Sequence, residues 1–227
     1  MACQLPPRAP RLPCLTGFAA LCITLGLVVA ATGCGVPKVS LSEGAREYVA
    51  TDYDRVLDHW TRNSELIVMR ELDNVLNVTA TYEAWDFRWA YVVRYASDYR
   101  LSVDQRRVLL ERTLSESREH HQFYIALFAE NHKWADLTRD DPAWVVRMVD
   151  DQGNETPPRE IIPIERPGAV ERTYFPYTTP WRRAFRLRFP TRRPDGGLTI
   201  SPEAKYFGLR FAGAQGNQQL VWEIEQR

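Results

Sequence analysis

The sequence predicts an α+β fold in which an antiparallel β-sandwich carries helices. From residue 122 onward, short apolar or alternating stretches recur between turn-forming residues, at the spacing typical of a sandwich. An amphipathic stretch precedes them over residues 45–64. Two helical stretches, over residues 84–119, follow the first predicted strand. A single-sheet α+β domain is the alternative.

The first predicted element is an amphipathic helix over residues 45–64. Its apolar side chains recur every three or four residues and form one stripe. They are Tyr48, Val49, Tyr53, Val56, Leu57 and Trp60. The next run, residues 65–71, is short and apolar and fits either a helix or a strand.

Residues 72–82 alternate and predict the first strand, half-buried, with residues such as Val78 on one face and Thr79 on the other. From residue 83 the apolar period becomes helical, which predicts a helix to residue 97. Ser102 and Gln105 have the spacing of a capping box, so a second helix is predicted from there to about Glu119.

The remaining elements are predicted strands. Residues 123–129 are continuously apolar, which is typical of a strand covered on both faces. Pro163 places residues 159–165 at a sheet edge or a bulge. In residues 183–189, phenylalanine and leucine alternate with arginine, so one face is expected to be buried. The other predicted strands are 144–149, 206–212 and 219–225.

The N-terminus has the features of an export signal. Arg8 and Arg11 precede an apolar run over residues 18–31, and small residues then lead to Cys34. The segment resembles a bacterial lipoprotein signal with its lipobox, although Ala31 stands where that family usually has leucine. The resemblance implies cleavage before Cys34 and acylation of that cysteine, which would hold the protein on a membrane.

This resemblance divides the chain into a signal peptide (1–33), a lipidated tether (34–44) and one globular domain (45–227). Two alternatives stay open, a cleaved signal without lipid and an uncleaved anchor over residues 12–37. By resemblance to enterobacterial lipoproteins, which keep an aspartate after the cysteine at the inner membrane, Gly35 favours the outer membrane on its periplasmic side.

Composition limits the chemistry of the domain. Without residues 1–33 the chain has 27 basic against 29 acidic residues, which argues against a nucleic-acid partner. The cysteines all lie at or before position 34, so the domain has no thiol for a disulfide or a metal. The four histidines have no metal-ligand spacing, and no catalytic motif is present. We therefore predict no cofactor, metal site or catalytic residue.

The strongest local deviation is a cluster of arginines beside an aromatic loop, a combination enriched at binding hot spots. It predicts a partner-binding site formed by Tyr174, Phe175, Tyr177, Trp181, Arg182, Arg183, Arg186 and Arg188. An envelope protein, a glycan or an anionic lipid would suit it. The alternative is a strand face whose arginines pair with acidic residues of a neighbouring strand, such as Glu223 and Glu225.

These observations together predict a lipid-anchored cell-envelope protein with a non-enzymatic binding or assembly role. Two alternatives are an envelope-polymer hydrolase, which would use carboxylates from distant strands, and a carrier of a small ligand. A deep cleft with converging carboxylates would favour the hydrolase. An apolar cavity between the helices and a sheet would favour the carrier.

Overall fold

The computed structural model describes residues 37–68 and 73–226. The predicted signal peptide (1–33), the predicted lipidation site Cys34, Gly35 and residues 69–72 lie outside the described residues. Val36–Arg227 forms one compact unit. Its two antiparallel sheets and its helices confirm the predicted α+β sandwich.

The described residues form four α-helices and nine strands. The helices are α1 (Tyr53–Trp60), α2 (Trp85–Asp98), α3 (Val103–Glu119) and α4 (Ala169–Tyr174), and a 3-10 turn (Ala50–Asp52) precedes α1. The strands are β1 (Thr61–Val68), β2 (Asp73–Tyr82), β3 (His120–Phe128), β4 (Val145–Asp150), β5 (Glu155–Thr156), β6 (Glu160–Ile164), β7 (Arg183–Pro190), β8 (Tyr206–Gly213) and β9 (Gly216–Glu223).

One sheet has the order β1-β2-β3-β7-β6 and the other β5-β4-β8-β9. Aromatic side chains fill the space between them. The Tyr82 ring lies 5.0 Å from that of Phe207, and Phe123 lies 5.4 Å from Trp222. The indole nitrogen of Trp222 donates to the Trp60 carbonyl at 2.9 Å, so this buried ring leaves no orphan donor.

Helices cover the outer face of the five-stranded sheet. Tyr124 of β3 stacks on Phe175 at 3.8 Å, and Phe175 lies 5.9 Å from Phe87 of α2. The polar face of β2 is therefore buried too: Thr79 is 7% and Thr81 0% exposed. The predicted half-buried strand is wrong on this point, because protein hydrogen bonds replace water on that face.

The predicted helix over 45–64 is too long. Helix α1 ends at Trp60, and Thr61 adopts an extended conformation (φ −97°, ψ 139°). Residues 61–68 pair with β2, starting at Thr61 opposite Thr81, so the ambiguous run after the helix belongs to a strand as far as Val68. The two-helix insertion therefore follows the second strand rather than the first.

Several finer predictions are confirmed. Ser102 and Gln105 form the predicted capping box at the start of α3. Strand β6, which contains Pro163, is an edge strand. Strand β7 alternates as predicted, with Phe185, Leu187 and Phe189 fully buried. Among the described residues, no helix combines the length and apolar character needed to cross a membrane.

Candidate functional site

Two members of the predicted binding cluster belong to the core. Tyr174, at the end of α4, packs edge-on against Tyr53 at 5.6 Å and Tyr91 at 5.0 Å. Phe175 is 1% exposed and stacks on Tyr124. The prediction that Tyr174 and Phe175 contact a partner is wrong, because α4 turns both rings towards α2 and the sheet.

Two further members fasten the same segment to the sheet. The hydroxyl of Tyr177 lies 2.7 Å from Thr81 Oγ1, and burial raises the pKa of this tyrosine. Arg182 donates from Nη1 to Thr79 Oγ1 and from Nη2 to Asn77 Oδ1, both at 2.7 Å. Burial lowers the pKa of Arg182, but the two acceptors satisfy its guanidinium. Tyr177 and Arg182 therefore hold the loop in place.

The exposed part of the cluster borders a groove of about 560 Å³. Four arginines line it, against a single carboxylate from Glu165; they are Arg166, Arg172, Arg182 and Arg183. Trp181, between the groove residues Pro180 and Arg182 in sequence, is 77% exposed. The remaining walls come from the end of β6, the start of β7 and His132. The groove is strongly basic, and the exposed Trp181 adjoins it along the chain without being one of its lining residues.

One ion pair supports the groove from behind. Arg183 Nη1 lies 2.9 Å from Asp136 Oδ2. Burial alone would raise the pKa of Asp136, but hydrogen bonds from Thr138 and the charge of Arg183 outweigh it and lower the pKa. Asp136 is therefore a carboxylate at neutral pH and partly neutralises Arg183. Arg166 and Arg172 are exposed and supply the accessible charge.

Arg186 and Arg188 do not reach the groove. They line a second cavity of about 190 Å³, between helices α2 and α3 and the outer face of the sheet. Its other lining residues are Glu83, Phe87, Arg88, Tyr91, Thr113, Glu116, Gln122 and Phe175. The two cavities share no lining residue, so the predicted arginine cluster serves two separate places.

A chain of hydrogen bonds holds one side of the second cavity. Arg188 Nε donates to Gln122 Oε1 at 2.8 Å, and Gln122 Nε2 donates to Glu83 Oε2 at 2.6 Å. Arg188 also pairs with Glu160 of β6 at 3.1 Å. The alternative of a strand face paired with acidic residues of a neighbouring strand is confirmed for Arg188 and Glu160, which lie opposite each other on β7 and β6. The partners named for it, Glu223 and Glu225, are wrong, because Glu223 ends β9 of the other sheet and Glu225 follows it.

The buried charges Glu83 and Arg88 were missed by the sequence analysis. Arg88 follows Phe87 on the covered face of α2, and an arginine is unusual among buried residues. This position in an otherwise apolar stripe is the one feature of the sequence that could have identified Arg88. Its Nε donates to the Glu83 carbonyl at 2.8 Å and its Nη1 to the Thr113 carbonyl at 3.1 Å. Arg88 thereby joins the residue that follows β2 to helices α2 and α3.

The other polar clusters have structural roles. Asp150 closes the turn after β4, where its Oδ1 accepts from the backbone amides of Gln152 and Asn154, each at 3.0 Å. His121 is bonded to the Tyr82 hydroxyl. Within the described part of the chain, no group of three or more histidine, cysteine or acidic side chains is placed to hold a metal ion.

Comparisons of the chain with protein-family models, with curated proteins and with solved structures gave no match.

Proposed function

We propose that this protein is an exported, lipid-anchored envelope protein whose sandwich domain binds an acidic segment of a partner protein. The observation that carries the proposal is the groove, where four arginines line the walls and the exposed Trp181 is the chain neighbour of two lining residues, Pro180 and Arg182. The lipobox ending at Cys34 supports the anchored location.

The groove has the chemistry of a protein-binding site for carboxylates. Arginine binds a carboxylate through two parallel hydrogen bonds, which gives both affinity and orientation. Tryptophan and arginine are the residues most enriched among binding hot spots. An exposed tryptophan is costly for a monomeric domain, and its burial by a partner recovers that cost.

The position of the groove favours a partner protein over the headgroups of the anchoring membrane. The carbonyl of Pro37, three residues after Cys34, accepts from Arg62 of β1 at 3.0 Å. Strand β1 is one edge of the five-stranded sheet, and β6, which lines the groove, is the other. Four interstrand spacings of about 4.8 Å separate these edges by about 19 Å. We therefore expect the groove to lie away from the tether.

The test is photo-crosslinking in intact cells that express the full chain. A benzophenone amino acid replaces Trp181, and the adduct is identified by mass spectrometry. We expect a protein adduct at a stretch rich in Asp and Glu. The double variant Arg166→Glu, Arg172→Glu should reduce its yield at least tenfold, because it inverts the accessible charge of the groove.

The matched control is Arg106→Glu, Arg112→Glu, which makes the same change of charge on the exposed face of α3 and should leave the adduct intact. An adduct to lipid or glycan, or one that survives charge inversion in the groove, would contradict the proposed partner. Mass spectrometry of Cys34 in the same cells tests the anchor separately: an unmodified Cys34 overturns anchoring and leaves the groove result valid.

A further inference from the structure

We infer that the cavity between α2, α3 and the sheet is a binding site for a small carboxylate that carries a hydroxyl or ammonium group on the neighbouring carbon. α-Hydroxy acids and α-amino acids have this chemistry. The inference rests on residues outside the groove and is independent of the function proposed above.

Three buried polar atoms of this cavity have no hydrogen-bond partner among the described residues. They are Glu83 Oε1, Arg88 Nη2 and Arg186 Nε. Glu83 and Arg88 are only 9% and 3% exposed, so water does not compensate them freely. A buried polar atom without a hydrogen bond is costly, and such an atom in a native protein requires an explanation.

The distances show that these three groups do not satisfy one another. Arg186 Nε lies 3.7 Å from Glu83 Oε1, and Arg88 Nη2 lies 3.7 Å from Glu83 Oε2. Both separations exceed hydrogen-bonding distance, although the charges still attract. The cavity therefore presents donors from two guanidinium groups beside one free carboxylate oxygen.

The pairing within the cluster leaves Arg186 with Glu83 as its ion-pair partner at 3.7 Å, and with no hydrogen bond from its Nε among the described residues. Arg88 is bonded to two carbonyls and lies 3.6 Å from Glu116, while Arg188 is bonded to Gln122 and Glu160. Arg186 lies above the Tyr124 ring, 5.9 Å from its centroid, and its side chain is 35% exposed. Its guanidinium is thus pre-oriented and reachable from solvent.

Charge and size select the ligand. A carboxylate would bind Arg186, and a donor on the next carbon would bind Glu83 Oε1, so one small molecule satisfies both free groups. A phosphate dianion carries a second negative charge and would meet stronger repulsion from Glu83 than a carboxylate does. The volume of about 190 Å³ equals about six water molecules. Ligands with about five non-hydrogen atoms, such as glycine and glycolate, would fit this space.

The test is NMR titration of the full-length protein in detergent with four probes: glycine, glycolate, acetate and inorganic phosphate. We expect saturable shifts for glycine and glycolate. Acetate should bind about tenfold more weakly, because it lacks the donor for Glu83. Inorganic phosphate should neither bind nor compete with glycolate.

Variants connect the binding to the named residues. Arg186→Gln should weaken glycolate binding at least tenfold and Arg186→Lys should restore part of it, since lysine keeps the charge without the planar fork. Glu83→Gln should reduce the preference for glycine over acetate. Arg147→Gln, a strand arginine in the other sheet, serves as the control, and the thermal midpoint of each variant verifies folding.

Two results would overturn the inference. The first is that no probe binds, or that all four bind wild type and Arg186→Gln equally. The second is that phosphate binds most tightly. A fold-compromised Arg186→Gln variant would not block the test, because the ranking of the four probes on the wild-type protein decides it alone.

Discussion

At the scale of the residue, His121 shows how burial determines protonation. It is partly buried, directly before the buried part of β3, and its Nδ1 lies 2.8 Å from the Tyr82 hydroxyl. Desolvation, with a smaller contribution from the neighbouring His120, lowers the pKa of His121 to about 4. The pKa of histidine in an unfolded chain is about 6.5, so the folded state favours the neutral ring.

This difference predicts a loss of stability in mild acid. Between pH 6.5 and pH 4 the unfolded chain binds the proton more readily than the folded one. The free energy of unfolding therefore decreases as the pH is lowered through this range. The stabilisation from the neutral ring is fully present above pH 6.5. The shift in pKa corresponds to on the order of 2 kcal/mol once it is reduced for solvent screening, because the side chain of His121 is partly exposed. Urea denaturation at pH 7.5 and pH 4.5 measures it.

His121→Asn is the matched variant, because an amide at this position has no proton to gain. It should unfold with a shallower dependence on pH than the wild type. Part of the dependence should persist, since burial also lowers the pKa of His59 and His120. Identical pH profiles for the two proteins would show that His121 is not responsible.

The residue scale also explains why the second cavity was not predicted. Arg186 and Arg188 could be identified as unusual from their alternation with apolar residues in β7. Nothing in the local sequence associates them with Glu83, which lies about a hundred residues earlier. Burial of that carboxylate is decided by the helices that pack over β2 and β3, and a strand pattern carries no information about them.

At the scale of the element, helix α3 depends on its first turn. Its N-cap hydroxyl, Ser102 Oγ, accepts from the Gln105 amide at 3.3 Å, and Gln105 Oε1 accepts from the Ser102 amide at 2.9 Å. The helix buries only Leu114 fully, so packing contributes little to hold its start. Local capping is therefore important for this element.

Removal of the cap should destabilise the protein measurably. Ser102→Ala is expected to lower the free energy of unfolding by about 1 kcal/mol, because the backbone amide of Gln105 at the helix start loses its acceptor. Ser102→Gly should cost only a few tenths of that energy. Ser115→Ala, at an exposed position of the same helix, is the control and should be neutral or slightly stabilising. Urea denaturation of the three variants measures these differences, and an equal effect of Ser102→Ala and Ser115→Ala would contradict the capping argument.

Helices and strands whose own residues show a clear hydrophobic period or cap were predictable from the sequence. Those that form only by pairing with a distant strand were not. The alternation in β7 and the capping box of α3 are local signals, and both predictions are confirmed. Residues 61–64 continue a helix-compatible composition, yet they form a strand because β2 offers a pairing edge. The gain from that ladder exceeds the weak local preference for helix.

At the scale of the whole molecule, the first described residues close the sandwich. Val39 is fully buried beside Ile224, its amide donates to the Glu223 carbonyl at 2.7 Å, and its carbonyl accepts from the Glu225 amide at 2.9 Å. This short parallel bridge lies within the segment predicted as a tether. Part of that segment therefore belongs to the folded domain.

Two truncations test this boundary. Removal of residues 1–35 should leave the free energy of unfolding unchanged within about 0.5 kcal/mol, since the predicted cleavage before Cys34 would remove most of them from the mature protein. Removal of residues 1–41 should lower it by about 2–4 kcal/mol, through loss of one buried valine and two backbone hydrogen bonds. Urea denaturation of both proteins measures the difference. Equal stability would show that the bridge contributes nothing.

The sequence by itself determined the fold class, the order of most elements and the presence of an unusual arginine cluster, because periodicity and turn chemistry are local properties. Only the tertiary structure decided what the cluster does. It buried Tyr174 and Phe175, bonded Arg182 to β2, and separated a solvent-facing groove from an inner cavity. The physical reason is that burial and charge pairing depend on which distant element covers a face, and that information is distributed over the whole chain.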